Sequence, residues 1–474
     1  MRKDMIKKGE TLELKIESLA YGGKGVSKID DFVVFVKNAI PGQTVKALVY
    51  KKRSGYAEAR PVEVIEESPN FTDPRCSHFD YCGGCTFQQL EYNKQLEQKI
   101  QQVKDAYRRL AGIENVKIDD IVGAVQIYNY RNKMEFTFSN RRWILPDEDE
   151  NVKKDFALGL HIPGRFDKIL DIHECHIQPE IGNKIVNFVR EIVIDLKLKP
   201  YDTKTHIGFL RHLVLRFGIN TDEIMINIVT SYENTEFLFP LVEKLIKQFP
   251  QITTIINNIN TRKGDTAFGE YEIILHGEPF ITDKIHELEF KISANSFFQT
   301  NTLQTKKLYN EVLKGAGLTG NQTVYDLYCG TGSISLFLAQ KAQDVFGFEM
   351  IGSAVDDARQ NAEINGISNA HFFKANLDTY FKGYVSFSNF INKYNISSPD
   401  VIVIDPPRAG MHENMLKYIP KFDANRIIYV SCNPTTQARD LKYLLQKGYK
   451  LKRTVVVDMF PHTPHIETVT VIEK

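Results

Sequence analysis

Six cysteines punctuate the chain, and three of them stand within ten residues as Cys76-x5-Cys82-Gly83-Gly84-Cys85. A metal site built on them needs a fourth donor. Cys175, in Asp171-Ile172-His173-Glu174-Cys175-His176, is the cysteine not committed to another motif. Four thiolates fit an iron–sulfur cluster or zinc. Zinc ribbons usually bring two close pairs, whereas three cysteines and a remote partner suit an iron–sulfur cube, so the cube is expected and zinc is the alternative.

A different chemistry is placed near the C-terminus. The apolar run Arg426–Ser431 ends in Ser431-Cys432-Asn433-Pro434, which puts a thiol at the carboxyl end of a strand. Further on, Pro461-His462-Thr463-Pro464-His465-Ile466-Glu467 holds two imidazoles and a carboxylate in a proline-bent loop, candidate bases for abstracting a proton. Upstream, Val324-Tyr325-Asp326-Leu327-Tyr328-Cys329-Gly330-Thr331-Gly332 is a strand running into a glycine turn and then a helix. Gly330 and Gly332 let the backbone approach a ligand closely. Glu349 ends the next strand, twenty-three positions past Asp326, where a carboxylate can accept both ribose hydroxyls of an adenosine cofactor. Ser335 fills the slot where a dinucleotide fingerprint has its third glycine, and Asp326 suits a cationic amine better than a phosphate. These features favour S-adenosylmethionine over a nicotinamide. Asp405-Pro406-Pro407-Arg408 then forms a rigid lip at the carboxyl edge of the sheet, compatible with holding a flat base or with methylating an amine.

A thiol, a base and a sulfonium methyl donor together serve one difficult reaction. Carbon 5 of uracil is a poor nucleophile until a thiolate adds at carbon 6. The methyl group can then be taken up, the carbon 5 proton removed and the thiol expelled. The target base must leave its stack to reach such a pocket.

The elements that carry these residues fall into three stretches. Residues 1–67 read as short strands with Gly and Pro turns, Leu12–Ile16, Phe32–Val36, Thr44–Tyr50 and Val62–Ile65, and a small closed barrel is expected. Residues 1–60 carry thirteen Lys and Arg against seven Asp and Glu in a chain of net charge +1, and Lys51, Lys52 and Arg53 lie on the loop side, as a nucleic-acid grip would. Residues 68–290 begin with the cysteine cluster and a helix from Gln88 to Ala111, then turn mostly β. Tyr128–Asn140 alternates, with Tyr130, Asn132, Met134, Phe136 and Phe138 on one face and Arg131 and Lys133 on the other. With Arg211 and Arg216 on another strand, an open basic face for RNA is expected. Residues 291–474 alternate strand and helix, which implies a mainly parallel sheet covered on both faces.

Composition is ordinary for a globular protein: 474 residues, 42% hydrophobic and 25% charged, too long for one core. No apolar run approaches the roughly 18 residues of a membrane span, and the polar N-terminus offers no secretory core, so a cytoplasmic protein is expected.

The cysteine motif, Asp405-Pro406-Pro407-Arg408 and Ser431-Cys432-Asn433-Pro434 together resemble the RNA uracil-5-methyltransferase family over essentially the whole chain. Its bacterial 23S rRNA branch has an N-terminal TRAM barrel, a central α+β iron–sulfur domain and a Rossmann-like class I methyltransferase domain. The resemblance implies Cys432 as nucleophile and Glu467 as base. It implies a 4Fe–4S cluster on Cys76, Cys82, Cys85 and Cys175, and a donor site lined by Gln299, Tyr328, Glu349, Asn376 and Asp405. Ser333 departs from relatives that carry Asn after the glycine turn. The family's helix from Gln88 packs on the catalytic domain. Because the tRNA branch is typically shorter, 23S rRNA is the expected partner of a monomeric enzyme, with tRNA methylation or a non-catalytic role in ribosome assembly as alternatives.

Overall fold

A computed structural model describes residues 6–149, 151–377 and 384–474; Met1–Met5, read above as part of a polar N-terminus, lie outside them. The first sheet has six strands in the order Thr11–Lys15, Thr44–Lys52, Tyr56–Glu66, Phe32–Val36, Gly25–Ile29, Ser18–Leu19. Alternate residues Val34, Val36, Val45, Ala47, Val49, Ala57 and Ala59 are fully buried and form its core. The expected closure does not occur: among the described residues no ladder joins the two edges. The last edge strand is only two residues long, and it is engaged elsewhere. Leu19 N donates to Gln98 Oε1 at 2.9 Å, and its side chain packs with Ile40, Phe87 and Leu90.

The long helix begins at Tyr92, later than the expected Gln88, and ends in a π turn at Tyr107–Ala111 before Gly112 (φ 74°). The wider turn adds a residue to the register after Tyr107, so Ala111 takes the next buried position on the Val103–Tyr107 face and Leu110 is left in solvent. The same helix buries Gln95, Lys99 and Gln102.

A central eight-stranded sheet runs Tyr271–Gly277, Ile252–Ile259, Ile224–Thr230, Leu210–Phe217, Lys133–Ser139, Ala157–Ile162, Arg165–Asp171, Arg142–Trp143. Helices Glu180–Asp195 and Phe239–Gln248 cover one face through Val189, Val193, Leu241 and Leu245. The alternation at 130–138 holds, with Tyr130, Asn132, Met134, Phe136 and Phe138 all buried. Arg211 and Arg216 do not lie on an open face. Their strand is interior and both are buried. Arg211 donates to the carbonyls of Asn260, Arg262 and Gly264, and Arg216 to those of Ala294 and Ser296. Loop carbonyls without strand partners take both guanidiniums, which removes them from any RNA surface.

The third large sheet orders its strands Ala370–Lys374, Asp344–Glu349, Thr323–Leu327, Val401–Ile404, Arg426–Ser431, Glu467–Glu473, Lys450–Val457, Asp120–Val122. The first five are parallel, and Glu467–Glu473 runs antiparallel to both its neighbours. This is the doubly wound arrangement of class I methyltransferases. Its last strand, Asp120–Val122, comes from the N-terminal half of the chain and pairs with Val455–Val457. No helix among the described residues is long and apolar enough to cross a membrane.

Candidate active site

At the carboxyl end of Thr323–Leu327 the backbone turns through three left-handed residues, Tyr328 (φ 68°), Gly330 (φ 53°) and Gly332 (φ 80°). A Cβ on Gly332 would stand 2.8 Å from the Phe372 ring, whereas one on Gly330 would project into open space. Gly332 is therefore required by packing, and Gly330 leaves its side of the turn free for a ligand. Glu349 is pinned by three amides: Gly330 N at 3.2 Å, Met350 N at 2.7 Å and Ile351 N at 2.9 Å. Met350 and Ile351 are themselves exposed apolar side chains, a surface suited to an adenine ring that motif spacing did not reveal.

Asp326 is fully buried; Oδ2 accepts from Ser335 Oγ at 2.5 Å, and Oδ1 has no hydrogen-bond partner among the described residues. Burial, with Asp405 and Glu349 nearby, pushes its carboxyl up to about 7. Asp405 is likewise raised to about 6 by burial. An orphaned carboxylate oxygen among three acids, beside a glycine turn, fits an ammonium and ribose hydroxyls and does not fit a phosphate. Gln299 sits across the turn. Thr331 Oγ1 donates to the Phe297 carbonyl at 3.3 Å, and Asn132 Nδ2 donates to the Gln299 carbonyl at 2.8 Å. Asn376 is exposed just past the Ala370–Lys374 strand, whose end is tied in by Ala375 N donating to the Glu349 carbonyl at 2.7 Å. Ser333 donates to or accepts from the Tyr309 hydroxyl at 2.5 Å.

Cys432 follows the strand Arg426–Ser431 directly. The antiparallel ladder ends at Ser431↔Thr468, and one further step along the same register sets Cys432 opposite Glu467. The turn at Cys432 is closed by Asn433, whose N donates to Ser431 Oγ at 3.1 Å and whose side chain caps the next helix through Thr435 N at 3.0 Å. Asn433 Nδ2 also donates to the Arg408 carbonyl at 3.0 Å, which fastens the Asp405–Arg408 lip beside the thiol. Cys432 is half-buried and Glu467 is buried. Desolvation, then the charges of Glu467 and Asp405, push the Cys432 thiol up to about 12, with Arg408 pulling it down. Desolvation and Asp405 likewise raise Glu467 well above a normal carboxyl, while Arg408 and Lys99 oppose.

The other two candidate bases are employed differently. His462 is buried, left-handed (φ 64°), stacked on Tyr128 at 4.4 Å, and 3.1 Å from Gln95 Nε2 through Nδ1. Burial drives it down to about 4, too weak a base for the work. His465 lies 3.2 Å from Arg408 Nη2, and burial and that cation also lower it to about 4.

Cys76, Cys82, Cys85 and Cys175 line one cavity of about 370 Å³, together with His78, His176 and the loop Ser296–Phe298. Burial raises the Cys76 thiol to about 11 and those of Cys82 and Cys85 to about 12, and raises Cys175 as well. Among the described residues no three metal-ligating side chains are already gathered to hold an ion. The donor set suits a thiolate-bound centre in kind and lines one cavity, though its sulfurs are not gathered around a point, and such a centre would supply the positive charge that these thiols lack.

Of the basic residues expected to meet RNA, Lys51 is ion-paired with Glu58, and Arg53 is exposed. Lys52 is exposed as well. Arg131 is half-buried, with Nε donating to the Lys133 carbonyl at 2.9 Å, while Lys133 pairs with Glu135 at 2.5 Å. Of the two cations that act on Glu467, sequence patterning placed Arg408 in the Asp405–Arg408 lip without giving it this role, and missed Lys99.

Residues 6–62 match the TRAM domain and residues 274–474 match the tRNA (uracil-5-)-methyltransferase family. An RNA methyltransferase of Chlorobaculum tepidum is 42% identical over 99% of this chain and 97% of its own, and one of Porphyromonas gingivalis is 41% identical over 97% and 99%. The crystal structure of Pyrococcus abyssi tRNA (uracil-54, C5)-methyltransferase in complex with S-adenosyl-L-homocysteine superposes with a TM-score of 0.73 at 28% identity, covering 97% of this chain and 100% of that one. A donor pocket without a phosphate seat, a TRAM module and full-length similarity to RNA methyltransferases lead to one assignment: the chain belongs to the RNA uracil-5-methyltransferase family, whose members methylate RNA with S-adenosylmethionine.

Proposed function

We propose that this enzyme methylates a uridine of 23S rRNA by forming a transient bond between Cys432 Sγ and carbon 6 of the base. The observation that carries the proposal is the register that faces Cys432 with Glu467 at the edge of the donor pocket. Sγ gives up its proton as the bond to carbon 6 forms. Asp405, largely ionised at neutral pH with its carboxyl at about 6, is an acceptor in the same pocket, and Arg408 stabilises the thiolate. The electron pair of the 5,6 double bond moves to carbon 5. The bound donor supplies an electrophilic methyl group there. Glu467 then takes the carbon 5 proton, the double bond re-forms, and Sγ leaves. Arg408 and Lys99 both favour the ionised Glu467 that this step needs.

Cys76, Cys82, Cys85 and Cys175 are the residues that would hold an iron–sulfur cluster, with zinc the alternative; the shared cavity and the thiolate chemistry support this reading. The protein is taken to be a cytoplasmic monomer. A second substrate, tRNA, is favoured by one observation: the Pyrococcus tRNA enzyme aligns over 100% of its length, so possession of the whole architecture does not separate the two RNAs. Mapping 5-methyluridine in 23S rRNA and tRNA from cells with and without this gene decides between them. Loss of a single 23S site supports the proposal, and loss confined to tRNA replaces it.

A further inference from the structure

The glycine turn of the TRAM module, Tyr21-Gly22-Gly23-Lys24, is closed by Gly23 N donating to the Ala20 carbonyl at 2.9 Å and Ala20 N donating to the Lys24 carbonyl at 2.9 Å. Gly22 and Gly23 both have φ near +90°. A Cβ on Gly23 would lie 2.6 Å from Thr86 and 3.2 Å from the Phe87 ring, so this turn presses directly on the segment that follows the cysteine cluster. That segment is fixed in turn to the catalytic loop. Thr86 N and Phe87 N both donate to the His462 carbonyl, at 2.7 and 3.0 Å. Five residues beyond His462 comes Glu467.

At the crown of the turn Tyr21 is 41% exposed and makes no hydrogen bond or ring contact among the described residues. Partial burial raises its hydroxyl above an ordinary phenol; among the catalytic groups Cys432 and Glu467 act in the same direction and Arg408 opposes. An exposed aromatic ring thus stands on a turn packed against the segment that holds the catalytic loop, within electrostatic reach of Cys432, and Arg408 of that pocket is exposed as well.

We propose that Tyr21 is a substrate-positioning residue of the methylation site, its ring stacking on the extruded uridine or on the nucleotide beside it. The TRAM module then supplies one wall of the active site in addition to gripping RNA at a distance. The assignment rests on the uracil-5 reading above. Single-stranded and flipped bases are held by stacking on aromatic side chains, and such a ring requires exposure, a rigid backbone and proximity to the reacting atoms. Tyr21 is exposed, its turn is clamped against a segment that also fixes the loop leading to Glu467, and its hydroxyl is within electrostatic reach of the catalytic thiol.

The test uses the full chain, tritiated S-adenosylmethionine and total RNA from cells lacking this gene, with the labelled nucleoside identified. Tyr21→Leu should lower kcat/KM for RNA by about ten- to a hundredfold, the range of base–aromatic stacking, while KM for the methyl donor and the melting temperature stay put. Tyr21→Phe should restore the rate. A Leu variant that turns over RNA like wild type overturns the proposal. So does an equal loss in the Phe and Leu variants, or a loss that follows melting temperature or donor KM. Wild type that labels RNA elsewhere than carbon 5 of uracil overturns the reading beneath it as well.

Discussion

Lys99 Nζ lies 2.6 Å from Asp458 Oδ1, and neither side chain reaches solvent. Tyr92 OH donates to the second carboxylate oxygen at 2.8 Å, and Lys99 also donates to the Phe460 carbonyl at 3.1 Å. The helix Tyr92–Ala106 therefore holds the loop that carries His462 and leads into Glu467. Removing one partner of a buried pair leaves an uncompensated charge, which typically costs about 3–5 kcal/mol. Lys99→Met should lower stability by about that amount in urea unfolding. Unchanged stability would show that Asp458 is neutralised some other way.

Cys432→Ala should abolish methyl transfer and leave donor binding largely intact, as measured by calorimetry with S-adenosyl-L-homocysteine. Undiminished turnover would remove the covalent route.

Glu467→Gln should trap a protein–RNA adduct that survives denaturing electrophoresis, because Sγ adds but the carbon 5 proton stays. His462, buried and left-handed, and His465, desolvated beside Arg408, are both lowered to about 4, which argues that neither takes over. Full turnover in this variant would return the role to His462, His465 or water.

Asp326 gives a pH signature. Its carboxyl rises from an ordinary value to about 7 on folding, so the native state holds a proton that the unfolded state releases. The stability that this group contributes is present at acid pH and is lost as pH rises through about 7. Relative to wild type, Asp326→Asn should gain stability between pH 5 and pH 8, read from urea midpoints. Donor affinity of the wild type should instead rise over that window, since a cationic amine favours the ionised carboxyl. A flat affinity profile would place the amine elsewhere.

Protein purified anaerobically should be brown, and iron chelation or Cys175→Ser should bleach it. Stoichiometric zinc without iron would establish the alternative centre.

Much of the catalytic architecture was legible in the residues. The strands Thr323–Leu327, Asp344–Glu349 and Arg426–Ser431 fall where their apolar runs and flanking turns place them. Buried parallel strands read as uninterrupted apolar stretches, and here nothing competes with that signal. The later strands Lys450–Val457 and Glu467–Glu473 are less plain, because polar Thr454, Thr468 and Thr470 are buried in them; Thr468 and Thr470 bond Gln437 and Tyr107. The reading failed where the exposed face was inferred from charge. Arg211 and Arg216 look like a basic strand surface, yet both serve loop carbonyls that sequence spacing cannot reveal. The barrel failed to close for a related reason, since Leu19 at its edge is taken by Gln98 and Phe87. Pairings between distant segments, such as Lys99 with Asp458, leave no local pattern at all.

The pairing of Asp120–Val122 with Val455–Val457 has a consequence for biosynthesis. A strand made early must wait on the emerging polypeptide until more than three hundred further residues have been translated before it meets its neighbour. The apolar side of the Tyr92–Ala106 helix waits with it. Nascent protein should thus depend on chaperones until the final strand leaves the ribosome, and a fragment starting at residue 274 should precipitate rather than fold.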